Sequence, residues 1–144
     1  MKKTSEVMTR APICCLSTDT ASKAAQLMRV VDVGSIPVVE DEQTLKLVGI
    51  VTDRDLAMRV VADGRSANLT RVADVMTHEV VTCRASDDLQ KAVDAMSLHQ
   101  LRRIPVIDGD HRIVGIISQA DVATRVEKSD EIAEMVKEIS QPTA

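Results

Sequence analysis

Two pairs of polar residues could do chemistry, because a hydroxyl and a carboxylate recur at the same spacing. Thr52 and Asp55 follow the stretch GIV, and Ser118 and Asp121 follow GII. An ionised carboxylate can accept hydrogen bonds from two hydroxyls at once. A hydroxyl followed three residues later by an acidic residue is also typical of a helix capping box. Spacing alone favours the cap, and a duplicated helix would duplicate its cap as well.

These pairs belong to an internal duplication that covers most of the chain. Residues 7–9 (VMT) return as 75–77, and residues 36–39 (IPVV) return as 104–107 (IPVI). Such a repeat indicates two copies of one structural unit. The predicted domains are a first repeat over 1–62, a linker over 63–72, a second repeat over 73–127, and a C-terminal amphipathic helix and tail over 128–144.

Each copy predicts the same order of elements, β-α-β-β-α. β-branched runs of strand length lie around 13–15, 36–39 and 45–51, and again around 81–83, 104–107 and 112–117. Between the first two strands of each copy, apolar residues stand at helical spacing, namely Ala24, Leu27, Met28 and Val31, then Leu89, Ala92, Val93 and Met96. The fold class is therefore α+β. One copy alone would be marginally stable, so we expect the two to pack about a pseudo-twofold axis with two clefts.

Composition and charge exclude several classes of function. The chain has no Phe, Tyr or Trp, so stacking platforms for single-stranded nucleic acid are absent. Its net charge of −4 argues against a non-specific DNA binder. No apolar run is long enough for a membrane span, and the N-terminus lacks the apolar region of a secretory signal. Three cysteines without a disulfide framework indicate a cytoplasmic protein.

The combination of Val-Met-Thr, Ile-Pro-Val and Gly-Ile-(Val/Ile)-(Thr/Ser)-x-x-Asp, present twice, resembles the cystathionine β-synthase (CBS) domain pair, or Bateman module. The resemblance covers residues 5–127, and the sequence looks most like small stand-alone CBS-pair proteins. In that family the cleft between copies binds adenine nucleotides or related adenosyl ligands, and the aspartate holds the ribose hydroxyls. The resemblance assigns that role to Asp55 and Asp121, with Thr52 and Ser118 alongside. Capping and ribose binding could coexist if the hydroxyl caps and the carboxylate points outward.

The resemblance also implies which residues surround the adenine. They are aliphatic or small, which suits a chain without aromatic residues, and comprise Cys14, Val33, Ile36, Pro37 and Ile50 in the first copy and Thr82, Leu101, Ile104, Pro105 and Ile116 in the second. Thr9 and Thr77 match the family's threonine at the pocket mouth. Each cleft is expected to mix both copies, so that Asp121 borders Thr9, Cys14 and Val33, whereas Asp55 borders Thr77, Thr82 and Leu101.

Candidate phosphate ligands are distributed unequally between the copies. Arg102 and Arg103 precede the Ile-Pro of the second copy, where phosphate-binding family members carry basic groups, and the arginine fork suits phosphate oxygens. The first copy has Gly34 and Ser35 there, and carries Arg54 inside its Thr-x-x-Asp motif instead. The two clefts are therefore expected to be chemically unequal. The arginines could alternatively be a solvated pair at a strand start.

The resulting prediction is a non-enzymatic sensor that binds an adenine nucleotide as a regulatory ligand, without a resident cofactor or metal. It is expected to form a homodimer and to act on an effector protein, without nucleic acid or membrane partners. The alternative is a dimeric interaction module with empty clefts. The chain shows no Ser/His/Asp or Cys/His arrangement, P-loop or zinc-ligand spacing that would favour an enzyme. The helix over 129–139 could close over its own module or join the dimer interface.

Overall fold

The computed structural model describes residues 2–125, whose elements follow one another in two similar series. In chain order they are α1 (Thr4–Val7), β1 (Thr9–Arg10), β2 (Cys15–Leu16), α2 (Ala21–Val31), β3 (Ser35–Val39), β4 (Leu47–Thr52), α3 (Asp53–Leu56), β5 (Cys83–Arg84), α4 (Leu89–His99), β6 (Arg103–Ile107), β7 (Ile113–Ser118) and α5 (Gln119–Arg125). A π-helical segment, Ala57–Val61, continues α3, and a 3₁₀ turn forms at Val72–Asp74. The predicted α+β class is confirmed. The predicted helix over 129–139 lies outside the described residues.

The chain divides into two compact units that do not coincide with the two repeats along the sequence. The first-repeat unit is Ile13–Val80, and the second-repeat unit combines Met1–Pro12 with Val81–Ala144. The sequence assigned residues 1–12 to the first repeat, whereas β1 pairs antiparallel with β7 of the second. Similarly, the segment up to Val80 packs with the first repeat, because Thr77 bridges to Ile50 on β4. Each unit thus takes the first residues of the other repeat.

The two sheets have equivalent topology. In the second-repeat unit the strand order is β1-β7-β6-β5, and in the first-repeat unit it is β2-β3-β4. The first and second strands of each repeat run parallel, and the second and third form an antiparallel hairpin. The short parallel strands start later than the sequence predicted, at Cys15 and Cys83. Along β4 and β7, buried and half-buried residues alternate, as expected when one face of a strand is packed on a core.

The apolar residues predicted to lie on one face of α2 and of α4 mostly pack into the core. Leu89, Ala92, Val93 and Met96 are all buried in a cluster with residues of β6 and β7. In α2, Ala24 and Met28 are buried, but Val31 is exposed, which corrects the prediction that it faces the core. The reason is local, since α2 ends at Val31 and Asp32 adopts a left-handed conformation. No helix within residues 2–125 combines the length and the apolar character needed to cross a membrane.

Candidate functional site

Asp55 lies at the start of α3, where it forms one half of a reciprocal capping box. The Thr52 hydroxyl accepts a hydrogen bond from the Asp55 amide at 2.9 Å, and the Asp55 carboxylate accepts one from the Thr52 amide at 3.0 Å. The Thr77 hydroxyl donates to the same carboxylate, at 3.2 Å from each oxygen. The side chain of Asp55 is only 10% exposed. This carboxylate is therefore held by its own capping motif and by a threonine near the C-terminal end of the first-repeat unit.

Asp121 has the same arrangement in the second-repeat unit. Its amide donates to the Ser118 hydroxyl at 3.1 Å, and its carboxylate accepts from the Ser118 amide at 3.2 Å. The Thr9 hydroxyl lies 3.2 Å from one carboxylate oxygen and 3.4 Å from the other. Of the neighbours expected for the two aspartates, Thr9 and Thr77 are thus found in place.

Glycines bring these threonines to the carboxylates. Gly115 pairs with Arg10 in the sheet, and a Cβ at Gly115 would lie 2.8 Å from the Thr9 carbonyl oxygen and 2.6 Å from the Met8 sulfur. Gly49 stands in the same relation to Met76 and Thr77. Only a residue without a side chain allows such a close backbone approach. This contact explains why the Val-Met-Thr and Val-Gly-Ile motifs recur together.

The structure confirms the capping interpretation of both Thr/Ser-x-x-Asp motifs in full. The carboxylates do not point freely outward, which was the condition set for combining capping with ribose binding, because each one accepts a hydrogen bond from a backbone amide of its own motif. Two carboxylate oxygens offer about four acceptor positions. The amide and the threonine hydroxyl leave part of that capacity unused. Capping does not by itself exclude a ligand at either carboxylate.

Each site contains one arginine, Arg59 or Arg125, that was not predicted from the sequence and that contacts both the aspartate and the segment carrying the threonine. Arg59 donates from one guanidinium nitrogen to the carbonyls of Val75 and Met76, both at 3.1 Å, and its Nε lies 4.0 Å from the Asp55 carboxylate. Arg125 contacts the carbonyls of Val7 and Met8 and the Asp121 carboxylate in the same way. The signal was present, since each arginine follows its aspartate by four residues. These arginines hold the segment that carries the threonine.

We expect Arg59→Met to lower the free energy of unfolding by about 1–2 kcal/mol. Hydrogen bonds from a charged donor contribute about 1.5–3 kcal/mol, and the 52% exposure of this side chain lets water replace part of that contribution. Urea unfolding followed by circular dichroism measures the loss. Arg54→Met is the control, because Arg54 is exposed on the same helix, and its cost should stay within about 0.5 kcal/mol. Equal costs for the two variants would contradict the role given to Arg59.

The residues expected around the adenine are buried or half-buried in their own units. Ile36, Pro37, Ile104 and Pro105 are buried in β3 and β6. The remainder are half-buried, namely Cys14, Val33, Ile50, Thr82, Leu101 and Ile116. Val33 and Leu101 pack against the hydrophobic clusters of the first-repeat and second-repeat units, respectively. That Cys14 and Val33 border Asp121, and Thr82 and Leu101 border Asp55, stays a prediction.

The candidate phosphate ligands lie at the start of the same hairpins. Arg103 pairs with Ser118 in the sheet, and the Arg102 carbonyl accepts from the Gln119 amide at 2.9 Å, so both arginines flank the Asp121 motif. Their side chains are exposed, as is that of Arg54. The backbone of these arginines thus adjoins the Asp121 motif, and their role as phosphate ligands stays a prediction.

Burial sets the protonation state of the three cysteines. Cys15 and Cys83 are buried in equivalent short strands, and burial raises the pKa of each thiol to about 12. Burial likewise raises the pKa of Cys14 to about 11. Such thiols stay protonated near neutral pH and are poor nucleophiles or ligands. Within residues 2–125, no group of three or more His, Cys, Asp or Glu residues is placed to hold a metal ion.

Comparison with known proteins places this geometry in a family. The CBS domain profile matches residues 5–62 and 72–128. Hypoxic response protein 1 of Mycobacterium tuberculosis is 32% identical over 139 residues, which cover 96% of this chain and 94% of the relative. The crystal structure of Hypoxic Response Protein I with two coordinated zinc ions superposes with a TM-score of 0.77 at 31% identity, and covers 88% of this chain and 100% of that one.

Two further solved structures hold adenosine compounds. The CBS domain pair of protein MJ0100, in complex with 5-methylthioadenosine and S-adenosyl-L-methionine, is 26% identical with a TM-score of 0.70, and covers 85% of this chain and 94% of that one. The CBS domain protein PAE2072 from Pyrobaculum aerophilum, complexed with AMP, is 21% identical with a TM-score of 0.75, and covers 94% and 99%. At that identity the likeness establishes the fold alone. The repeated motifs, the sheet topology and the match over both repeats lead to one conclusion: the chain belongs to the CBS domain family.

Proposed function

We propose that this protein is a non-enzymatic regulatory module that binds an adenine nucleotide of the AMP, ADP or ATP class, with the ribose held by Asp121 and Asp55. The observation that carries the proposal is the pair of nearly buried carboxylates, each fixed by a backbone amide and a threonine hydroxyl and each with acceptor capacity to spare. The MJ0100 domain pair, which belongs to the same family, binds adenosine compounds. A location in the cytoplasm stays a prediction from the sequence.

Ribose is the part of the ligand that these carboxylates suit best. The vicinal hydroxyls of ribose can both donate to one carboxylate, and hydrogen bonds to a charged group contribute about 1.5–3 kcal/mol each. The carboxylate needs no reorganisation to accept them, because the capping amide and the threonine already hold it in place. Ligand binding would then signal to an effector protein by shifting a conformational equilibrium, to the extent that the ligand prefers one conformation.

The test of this proposal is the effect of Asp121→Ala and Asp55→Ala on nucleotide binding. We expect each substitution to weaken binding at its own site by about ten- to a hundredfold, the loss expected for one set of charge-assisted hydrogen bonds. Isothermal titration calorimetry with AMP, ADP and ATP measures the affinities, and thermal shift should show stabilisation that grows with ligand concentration. The control is Asp94→Ala, which removes an exposed carboxylate on α4.

A second candidate function is a dimeric interaction module whose sites stay empty. Two observations favour it. Both carboxylates already accept hydrogen bonds from protein donors, and large apolar side chains such as Val30, Val61 and Leu98 are more than three-quarters exposed on helices. Exposed apolar residues on helix faces suit a homodimer interface. No thermal response to any nucleotide, together with a dimer in analytical ultracentrifugation, would favour this function over nucleotide binding.

A further inference from the structure

The two carboxylate sites share one backbone framework. In the first-repeat unit, the Asp53 amide donates to the Gly34 carbonyl at 2.9 Å, and in the second-repeat unit the Gln119 amide donates to the Arg102 carbonyl at the same distance. Ser35 pairs with Thr52 across the first hairpin, as Arg103 pairs with Ser118 across the second. Differences between the sites therefore come from the side chains placed on this framework.

Those side chains differ most in charge. Beside the Asp121 motif the framework carries Arg102 and Arg103, and the first residue of α5 is the neutral Gln119. Beside the Asp55 motif the equivalent residues are Gly34 and Ser35, and the first residue of α3 is Asp53, an additional carboxylate. At the equivalent positions the Asp121 site carries two cations, whereas the Asp55 site carries one anion, Asp53, and one cation, Arg54.

The Asp53 carboxylate occupies the space in which a basic side chain would begin. A Cβ on Gly34 would lie 3.0 Å from Asp53 Oδ2 and 3.3 Å from its carboxyl carbon. Asp53 Oδ1 accepts a hydrogen bond from the Arg54 amide at 2.8 Å, which orients the group. A side chain at position 34 would crowd the Asp53 carboxylate, and the glycine there avoids this contact. Arg54 is exposed, as are Arg102 and Arg103, so Asp53 and Arg54 together give the Asp55 site no net charge where the other site has two positive charges.

We propose that Asp53 makes the Asp55 site select adenosine compounds without phosphate, whereas Arg102 and Arg103 make the Asp121 site select phosphorylated ones. This inference rests on the proposed function. A phosphate monoester carries close to two negative charges near neutral pH, so a fixed carboxylate repels it and an arginine fork binds it. A neutral thioether or a cationic sulfonium on the same adenosine suffers no such repulsion. One chain would then respond to two chemically different adenosine ligands.

The experiment uses AMP and adenosine as probes on variants that retain one site each. Calorimetric titration of Asp55→Ala reports on the Asp121 site, and titration of Asp121→Ala reports on the Asp55 site. We expect the Asp121 site to bind AMP about tenfold or more tightly than adenosine. This ratio corresponds to the interaction energy of two charges a few ångströms apart in a partly hydrated site. This preference should fall as ionic strength rises. The Asp55 site should prefer adenosine.

Asp53→Gln, introduced into the Asp121→Ala protein, tests the residue itself. It copies Gln119 of the other site, and we expect it to raise the ratio of AMP affinity to adenosine affinity about tenfold. The control is Glu42→Gln, an equal charge removal in the turn beyond β3, which should leave the ratio unchanged. Adenosine affinity reports in each case that the site is folded.

The outcomes separate the two proposals. If adenosine and AMP both bind, but with the same ratio at the two sites, the charge selection is wrong and the nucleotide-binding function stands. An unchanged ratio in Asp53→Gln likewise overturns the role of Asp53. If neither compound binds to the wild-type protein, the proposed function fails, and the selection between sites fails with it.

Discussion

Met96→Ala should lower the free energy of unfolding by about 2–5 kcal/mol, the range for truncating a buried methionine to alanine. Met96 is fully buried in the cluster of the second-repeat unit, where it packs with residues of β6 and β7 such as Ile104 and Ile117. The substitution leaves a cavity that a core of this packing density cannot fill. Because α4 and the β6–β7 hairpin share this cluster, the loss should weaken the framework that holds the Asp121 motif.

Urea unfolding, followed by circular dichroism, measures this loss. Leu98→Ala is the matched control, since Leu98 lies on the same helix but is 79% exposed, and its cost should stay within about 0.5 kcal/mol. The melting temperature of Met96→Ala should fall by about 3–4 °C for each kcal/mol lost. Similar costs for the two variants would show that the buried face of α4 has been assigned wrongly.

Gly115→Ala is expected to lower the free energy of unfolding by about 1–3 kcal/mol, the usual cost of overpacking, and to disturb the Asp121 site. The added methyl group would lie 2.8 Å from the Thr9 carbonyl oxygen, which belongs to the backbone and cannot turn away as the Met8 side chain can. β1 must therefore move away from β7. That movement separates the Thr9 hydroxyl from the Asp121 carboxylate, which it now contacts at 3.2 Å.

Two measurements check this prediction. Denaturant unfolding gives the loss of stability, and hydrogen exchange should accelerate in β1 and β7 more than in β5 and β6. Gly109→Ala is the control, because no atom lies within 4 Å of a Cβ at that position. Gly49→Ala should produce the same disturbance around Thr77 in the first-repeat unit. If Gly115→Ala and Gly109→Ala lost the same amount of stability, the close approach of β1 to Gly115 on β7 would be contradicted.

Under the proposed function, the carboxylate that caps each helix also binds the ligand. Each aspartate contacts the start of its own helix and a threonine near the start of the other repeat. A ligand that donates hydrogen bonds to the same carboxylate therefore acts directly on groups that hold the unit together. Under the proposed function, nucleotide binding and the local stability of α3 and α5 are thermodynamically linked.

Local patterns in the sequence were sufficient to predict the longer helices and strands and the two capping motifs. The helical stripe from Leu89 to Met96 and the strand pattern around Gly115 depend on periodicities that one element imposes on its own residues. The capping box of Thr52 and Asp55 was also predictable, because it is a contact between residues three apart. Duplication strengthened each of these predictions, since both copies had to agree.

The tertiary structure alone decided which segments each unit contains. β1 has two residues, Thr9 and Arg10, and no periodicity that a reader of the sequence could detect. Its position depends on a sheet partner over a hundred residues away and on the space above Gly115. Long-range contacts of this kind are selected by packing and not by local propensity. For the same reason, only the structure showed that Arg59 holds the segment before Thr77, and that Asp53 fills the space above Gly34.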